Sequence, residues 1–174
     1  MTNGSKRTTV ILDEEDREFL DNLIKEGKES GIKDFLTKMI DIYRNMCIHD
    51  WKYPGECYVG VSRVAFFNQE SINILVERMP REDRYEVGRK IGEAYRISFL
   101  TSFGLDSRKR ERWEDVFRQL RILGFGDFMS RDRFLSIRNP FLNDAELLRG
   151  FLEELLGSPF TMKTPTPPVV LEIA

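Results

Sequence analysis

The sequence is poor in the residue types on which most catalytic sites depend. Its 174 residues include one histidine, His49, and two cysteines, Cys47 and Cys57. A single histidine restricts the usual pairs of general base and nucleophile, and no glycine-rich phosphate loop of the Walker or dinucleotide type is present. Carboxylates are plentiful, but the pattern singles out none of them. We therefore predict that the protein is not an enzyme and needs no cofactor.

Metal binding and thiol chemistry have little support from the same residues. Cys47, His49 and Cys57, with Asp50 as a fourth ligand, fit no common spacing of a zinc site. The simpler interpretation buries Cys47 at the end of a helix and leaves His49 in a linker. A thiol sensor at either cysteine is also weakly supported, because nothing nearby would favour the reactive thiolate. We therefore predict no metal site.

Long apolar runs are missing as well. No apolar stretch follows the opening residues MTNGSKRTT, as a secretory signal would require, and no run is long enough to span a bilayer. Two cysteines are too few for a disulfide framework. These features favour a cytoplasmic protein that does not associate with membranes.

Positive charge is scarce for a protein that binds nucleic acid over a wide surface. The formal net charge is −2 and the pI is about 5.6, whereas such proteins are usually basic. Any DNA contact must therefore come from a local patch. Hydrophobic residues make up 41% of the chain and charged residues 32%, which is the balance of a protein that buries a core.

The first 48 residues contain a strand and two helices in close succession. Residues 7–12 are rich in β-branched side chains and predict a short strand. Asp13 is suited to cap a first helix that ends near Glu26, and Ser30 is suited to cap a second. The second helix carries its apolar residues on one face: Ile32, Phe35, Leu36, Met39, Ile40, Tyr43 and Met46. Both helices are too short to bury these faces alone, so we expect an intertwined dimer.

Alternation along the strand separates its side chains into two sets. Thr8, Val10 and Leu12 would lie against the helices, whereas the side chains of Arg7, Thr9 and Ile11 would face outward. Two such strands from two chains would form an antiparallel ribbon that fits the major groove of DNA. There Arg pairs with guanine, and Thr offers a hydroxyl and a methyl group.

The segment KRTTVILDEEDREFLDNLIKEGKESGIKDFLTKMIDIYR, within residues 6–46, resembles the CopG/Arc/MetJ ribbon-helix-helix family of transcriptional regulators. The resemblance implies a twofold dimer whose paired strands enter the major groove of double-stranded DNA. It also implies that the start of the second helix lies on a phosphate. The implied base contacts are Arg7, Thr9 and Ile11. The implied phosphate contacts are Lys6, Ser30, Gly31, Ile32 and Lys33.

Two features depart from this pattern. Ile11 occupies a groove-facing position where a polar residue is commoner, so its contact would be apolar, for example to a thymine methyl group. Residues 1–50 also hold eight Lys and Arg against eleven Asp and Glu, which limits the number of phosphate contacts. The alternative is that the same fold serves only for dimerisation and does not bind DNA.

Residues 49–57 form a predicted linker around Pro54-Gly55, and residues 58–174 form a predicted α+β domain. Its helices are expected from Asn68 or Gln69 to Met79, over 81–103, over 108–123, and from Asn143 or Asp144 to Leu156. Its strands are expected over 58–67, 127–130, 134–139, 160–164 and 169–173, the second and third forming a hairpin. The whole chain is thus predicted to be α+β.

Five segments of residues 58–174 resemble the vinyl-reductase-type ligand domain, an α+β fold. They are VGRKIGEAY, LRILGFGDF, FLSIRNPF, LLRGFLEELLG and VVLEIA. The resemblance implies a small apolar ligand in some members and metal-binding cysteines in others. A metal site of that kind is not expected in this chain, because residues 58–174 contain no cysteine. The alternative is an unrelated α+β domain used for oligomerisation.

Two groups of side chains in this domain have open interpretations. One group is aromatic, and its side chains either line an effector pocket or pack in the hydrophobic core: Phe99, Phe103, Trp113, Phe117 and Phe125. The other is the basic run Arg108–Arg112, which either contacts phosphate or forms a solvated helix start.

Together these features predict a homodimeric, DNA-binding transcriptional regulator with a C-terminal domain that binds a small-molecule effector or a protein partner, or joins dimers together. The main alternative is a dimeric assembly module that does not bind DNA. An antitoxin is less favoured, because its partner-binding tail is usually short and disordered, whereas residues 58–174 are rich in apolar side chains.

Overall fold

The computed structural model describes residues 9–52 and 55–174 and has the predicted α+β composition. The chain divides into two compact units between Asp41 and Ile42. Each unit is described below by itself. Within the described residues, no helix is long and apolar enough to cross a lipid bilayer.

The N-terminal unit contains helix α1, Glu14–Lys25, and the start of helix α2, Ile32–Asn45. Asp13 caps α1 as predicted, because its carboxylate accepts a 2.9 Å hydrogen bond from the amide of Asp16. The prediction that Ser30 caps α2 was wrong. Gly31 directly precedes the helix and its carbonyl accepts from the Phe35 amide at 3.0 Å, whereas the Ser30 hydroxyl donates to the Asp34 carboxylate.

The predicted strand over residues 7–12 begins outside the described residues. Its described part, residues 9–12, forms no strand in the single chain. An isolated strand has no hydrogen-bonding partner of its own, so pairing with a second chain stays a prediction.

In the C-terminal unit, the end of α2 is followed by a 3-10 turn, Ile48–Asp50, and a hairpin of strand β1, Cys57–Val59, and strand β2, Ser62–Val64. The single strand predicted over 58–67 was therefore wrong. The chain reverses at Gly60, whose φ of 59° lies in the left-handed region that favours glycine. Helix α3, Gln69–Arg78, follows and is capped by Asn68, as predicted.

Three longer helices and four strands complete the unit. The helices are α4, Arg81–Phe103, α5, Trp113–Ile122, and α6, Ala145–Leu156. The strands are β3, Asp127–Arg131, β4, Phe134–Arg138, β5, Phe160–Thr164, and β6, Val169–Ile173. Helix α5 starts at Trp113 rather than near 108, because residues 110–112 form a separate 3-10 turn.

Strands β3 to β6 form one antiparallel sheet in the order β3-β4-β6-β5. In the hairpin, Phe128 pairs with Ile137, and β4 continues to β6 with Leu135 opposite Leu171. These four side chains are all buried. They alternate with more exposed neighbours, so one face of the sheet is apolar.

Helices α4, α5 and α6 contribute to the same core as the buried sheet face. The rings of Phe117 on α5 and Phe128 on β3 stack with centroids 5.7 Å apart. The largest fully buried side chains of this unit are Phe99, Phe117, Phe151, Leu120, Leu135, Ile137, Leu147, Leu148, Leu152, Leu155, Leu156 and Leu171. This cluster identifies the 42–174 unit as a domain with its own hydrophobic core.

Helices α4 and α6 touch through their backbones at glycines. A Cβ atom at Gly88 would lie 2.1 Å from the Leu147 carbonyl oxygen, and one at Gly92 would lie 2.4 Å from the Phe151 oxygen. On α6, a Cβ atom at Gly150 would lie 2.1 Å from the Tyr85 oxygen. Because each clash is with rigid backbone, any larger residue at these positions would push the two helices apart.

We expect Gly92→Ala to lower the free energy of unfolding by roughly 1–3 kcal/mol, the usual range for overpacking. The loss should occur although alanine is the better helix former. Chemical denaturation followed by circular dichroism measures it. Lys90→Ala, at an exposed position of the same helix, should change the value by less than about 0.5 kcal/mol. Equal stability of Gly92→Ala and the wild type would contradict the close helix crossing.

Glu154 on α6 joins three arginines, two of them on α4 and one before α5. Its carboxylate accepts from Arg89 Nη2 at 2.9 Å and from Arg108 Nη2 at 2.6 Å, and Arg96 Nε lies 3.7 Å away. The side chain is only 14% exposed. The hydrogen bond from Arg89, aided by the charge of Arg108, lowers the pKa of the Glu154 carboxyl below its ordinary value. The group thereby fastens α6 to α4 and to the segment before α5.

A carboxyl whose pKa is lowered by folding stabilises the protein above its unfolded pKa, and this contribution disappears as the pH falls through the folded value. We therefore expect Glu154→Gln to cost about 1.5–3 kcal/mol near neutral pH. In acid, below both pKa values, the variant and the wild type should converge. Urea denaturation across the pH range tests this. Glu93→Gln, whose side chain is 58% exposed, should stay close to the wild type throughout.

Candidate functional sites

The predicted base-contacting residues lie at or before the start of the described chain. Lys6 and Arg7 are outside the described residues. Thr9 is exposed and Ile11 is 93% exposed, so both are accessible in the single chain. Leu12 is half-buried, in keeping with an inward position, but Val10 is 56% exposed.

The predicted phosphate-contacting residues Ser30, Gly31, Ile32 and Lys33 lie together at the start of α2. The first amides of any helix lack intrahelical acceptors and carry partial positive charge. The Lys33 ammonium forms no ion pair with residues 9–52 or 55–174, whereas Lys38 is held by Glu29 at 2.5 Å. Asp34 stands in the same first turn and opposes binding of an anion.

The helices of the N-terminal unit leave apolar side chains in solvent. Within the described single chain, α1 buries one side chain, Leu20, and α2 buries none. Phe19 is 57% exposed and Ile40 is 55% exposed. Exposed apolar side chains on two short helices are typical of a surface that another chain covers.

Two adjoining cavities lie in the C-terminal unit, near the β1-β2 hairpin. The first has a volume of about 180 Å³ and is lined by Val59, Ser62, Arg63, Val64, Ala94, Tyr95, Ser98, Phe99 and Leu123. The second has a volume of about 240 Å³ and is lined by Ala65, Phe66, Phe67, Ile72, Tyr95, Leu123, Gly124, Phe125 and Phe141. They meet at Tyr95 and Leu123, and both linings are mainly apolar.

Tyr95 is held by aromatic neighbours on three sides. Its ring meets those of Phe99, Phe125 and Phe151 edge-on, with centroids 6.1, 5.0 and 5.7 Å away. Its hydroxyl makes no hydrogen bond to any residue of 9–52 or 55–174. Burial raises the pKa of Tyr95 above its ordinary value, so the group is a hydrogen-bond donor at neutral pH.

The hairpin that borders the first cavity is fixed to α4 by two serines. Ser102 Oγ accepts a 3.2 Å hydrogen bond from the amide of Val61, and Ser62 Oγ lies 3.3 Å from Ser98 Oγ. A Cβ atom at Gly60 would lie 1.8 Å from Ser102 Oγ, so only glycine allows this approach. The hairpin is therefore a fixed wall of the first cavity.

The remaining predicted groups have clear positions. Of the five aromatics with two interpretations, Phe99, Trp113 and Phe117 are buried in the core, and Phe103 and Phe125 pack against it. The core interpretation is thus confirmed for Phe103, Trp113 and Phe117, whereas Phe99 and Phe125 belong to the core and also line the cavities.

The basic run before α5 is largely engaged within its own unit. Arg108 pairs with Glu154, Arg112 with Asp115 at 2.9 Å, and Arg110 donates to the Asp132 carbonyl at 2.9 Å. These partners reduce the positive charge that the run offers to a phosphate.

Cys47 and Cys57 are both free and half-buried. Within the described residues no group of three His, Cys, Asp or Glu is placed to hold a metal ion.

Sequence patterns did not identify the cavities. Tyr95 carries one usable signal, a polar hydroxyl on an otherwise apolar helix face. Leu123 and the hairpin residues gave no local signal, because a cavity depends on which distant segments meet.

No protein-family model, curated protein or solved structure matches the chain. Its function is therefore inferred from its residues and their geometry.

We expect Tyr95→Phe to leave the free energy of unfolding at neutral pH within about 0.5 kcal/mol of the wild type, because the lost hydroxyl has no partner. A raised folded pKa makes the wild type lose stability as the pH rises above the unfolded value of about 10. The variant should therefore be the more stable protein in alkali. Thermal denaturation at neutral and alkaline pH measures both effects.

Tyr43→Phe, at a position 49% exposed, serves as the control. It should keep the alkaline loss of the wild type because Tyr95 remains. A large neutral-pH destabilisation by Tyr95→Phe would show that the hydroxyl has a partner in the folded chain.

Proposed function

We propose that the protein is a homodimeric, sequence-specific DNA-binding transcriptional regulator of the ribbon-helix-helix type. The observation that carries this proposal is the state of the N-terminal unit in a single chain. Residues 9–12 form no strand with any other described residue, and α1 and α2 leave apolar side chains exposed. Both deficits are removed if a second copy supplies the neighbouring strand and the facing helices.

The proposed dimer pairs residues 7–12 of two chains as an antiparallel ribbon. In that ribbon Arg7, Thr9 and Ile11 project from one face into the major groove. The start of α2, with Gly31, Ile32 and the unpaired Lys33, contacts the phosphate backbone and fixes the register. The exposure of Thr9 and Ile11 supports this proposal, because both side chains are accessible to a partner.

The negative charge of the N-terminal unit limits its affinity for DNA. The 8 Lys and Arg among residues 1–50 are outnumbered by 11 Asp and Glu, and Arg17 and Lys38 are paired with carboxylates. We expect few phosphate contacts per chain, a shallow dependence on salt, and modest affinity unless two dimers bind side by side.

The same acidity favours a second candidate function. An N-terminal unit that dimerises without contacting DNA needs no basic surface, so the protein would then be an assembly module. In either case we propose that the 42–174 unit binds a ligand or a partner protein, or joins dimers together. In the regulator this binding would alter the freedom of the two ribbons to which the domains are tethered.

Arg7→Ala and Thr9→Ala should each weaken binding to selected DNA by about 1–3 kcal/mol, the usual value of a base contact. In vitro selection from random double-stranded DNA provides the site, and gel-shift titration at several salt concentrations measures the affinity. Arg131→Ala is the matched control, since the Arg131 side chain is 94% exposed and lies in the other unit.

The outcome separates the two candidate functions. The regulator is supported if the wild type and Arg131→Ala bind the selected DNA and both Arg7→Ala and Thr9→Ala lose this binding. A dimer at twice the chain mass of 20.5 kDa that selects no sequence at low salt supports the assembly module. A monomer would contradict both.

A further inference from the structure

We propose that the two adjoining cavities of the 42–174 unit bind a medium-chain carboxylate, with its alkyl chain against Tyr95 and Leu123 and its head group beside Arg63. The inference names a ligand class for the domain. It rests on the proposed function only for the role of that ligand as an effector.

The size and lining of the cavities require an apolar, elongated ligand. An apolar cavity of about 150 Å³ holds a molecule the size of benzene, and the first cavity has about 180 Å³. The second adds about 240 Å³ beyond Tyr95 and Leu123. Because both cavities border Tyr95 and Leu123, the proposed alkyl chain is long enough to contact both spaces, whereas a short acid fills only one.

The polar groups favour a negatively charged head. Arg63 is the one charged residue among those that line either cavity. It is exposed and forms no ion pair with the described residues, so its guanidinium is free to bind a carboxylate. No carboxylate side chain lines either cavity, and an anionic ligand therefore meets no like charge there.

Tyr95, which lines both cavities, supplies a second donor. Its hydroxyl makes no hydrogen bond to the described residues and is not fully buried, so it is available to donate to a ligand that displaces solvent. The three surrounding rings hold Tyr95 in place, and the hairpin wall beside it is fixed by Ser98 and Ser102. The site is thus formed before the ligand arrives, which limits the entropy lost on binding.

Calorimetric titration of the full-length protein with octanoate, without DNA, tests the proposal. Octanoate should bind saturably, more tightly than butyrate or octanol. Arg63→Gln should weaken octanoate binding roughly two- to fivefold, as for an exposed ion pair, and leave octanol unchanged. Tyr95→Phe should weaken it about fivefold, the value of one hydrogen bond.

Two further variants control for folding and for unspecific charge. Ala94→Phe places a ring at the exposed rim of the first cavity and should abolish saturable binding while the thermal unfolding temperature is retained. Arg131→Gln removes an exposed cation elsewhere and should have no effect.

The proposal is overturned if octanoate does not bind, if octanol binds equally well, or if Arg131→Gln weakens binding as much as Arg63→Gln. Since the titration contains no DNA, its failure leaves the DNA-binding proposal standing. A failed gel shift likewise leaves this site standing.

Discussion

The close crossing of α4 and α6 is the constraint on which the rest of the C-terminal unit depends. Where the two helices cross, three glycines leave no side chain between the backbones: Gly88, Gly92 and Gly150. The helices therefore approach more closely than ordinary packing permits. The buried faces of α6 and α5 then meet the apolar face of the four-stranded sheet. Polar contacts also hold the same two helices together. They are the ion pairs of Glu154 and the hydrogen bond that the Tyr85 hydroxyl donates to Glu153.

Helix α4 connects this core to the cavities. Along its C-terminal half, Phe99 is buried in the core, Tyr95 lies between the core and both cavities, and Ser98 and Ser102 fix the hairpin wall. A ligand that occupies the cavities therefore contacts the helix that organises the domain. A ligand alters a distant equilibrium only through such differential contacts, and α4 is the element through which the proposed carboxylate would act.

Local signals predicted most of the secondary structure. Asp13, Asn68 and Asp144 cap their helices through side-chain hydrogen bonds with residues three positions later, so neighbouring residues alone determine where these helices begin. The strands at 160–164 and 169–173 were likewise predicted by composition and prolines. The hairpin at β1-β2 was missed because the run YVGVSRVAFF is rich in strand-forming residues, and Gly60, whose left-handed backbone allows the reversal, is the one glycine within it. The cavities and the proposed ribbon depend on distant segments or on a second chain, which local patterns do not encode.

The crossing of α4 and α6 also has a consequence for the route by which the domain folds. The two helices are separated in sequence by α5 and the β3-β4 hairpin, so their contact closes a long loop before it gains any burial. Contacts of high sequence separation slow folding. The α5 and hairpin segments are thus best placed to condense first, through the stacked pair Phe117 and Phe128, and the glycine-lined helices dock onto that nucleus. A newly made chain would therefore expose the apolar face of α4 until α6 has been synthesised, and during that interval it would be open to aggregation or chaperone capture.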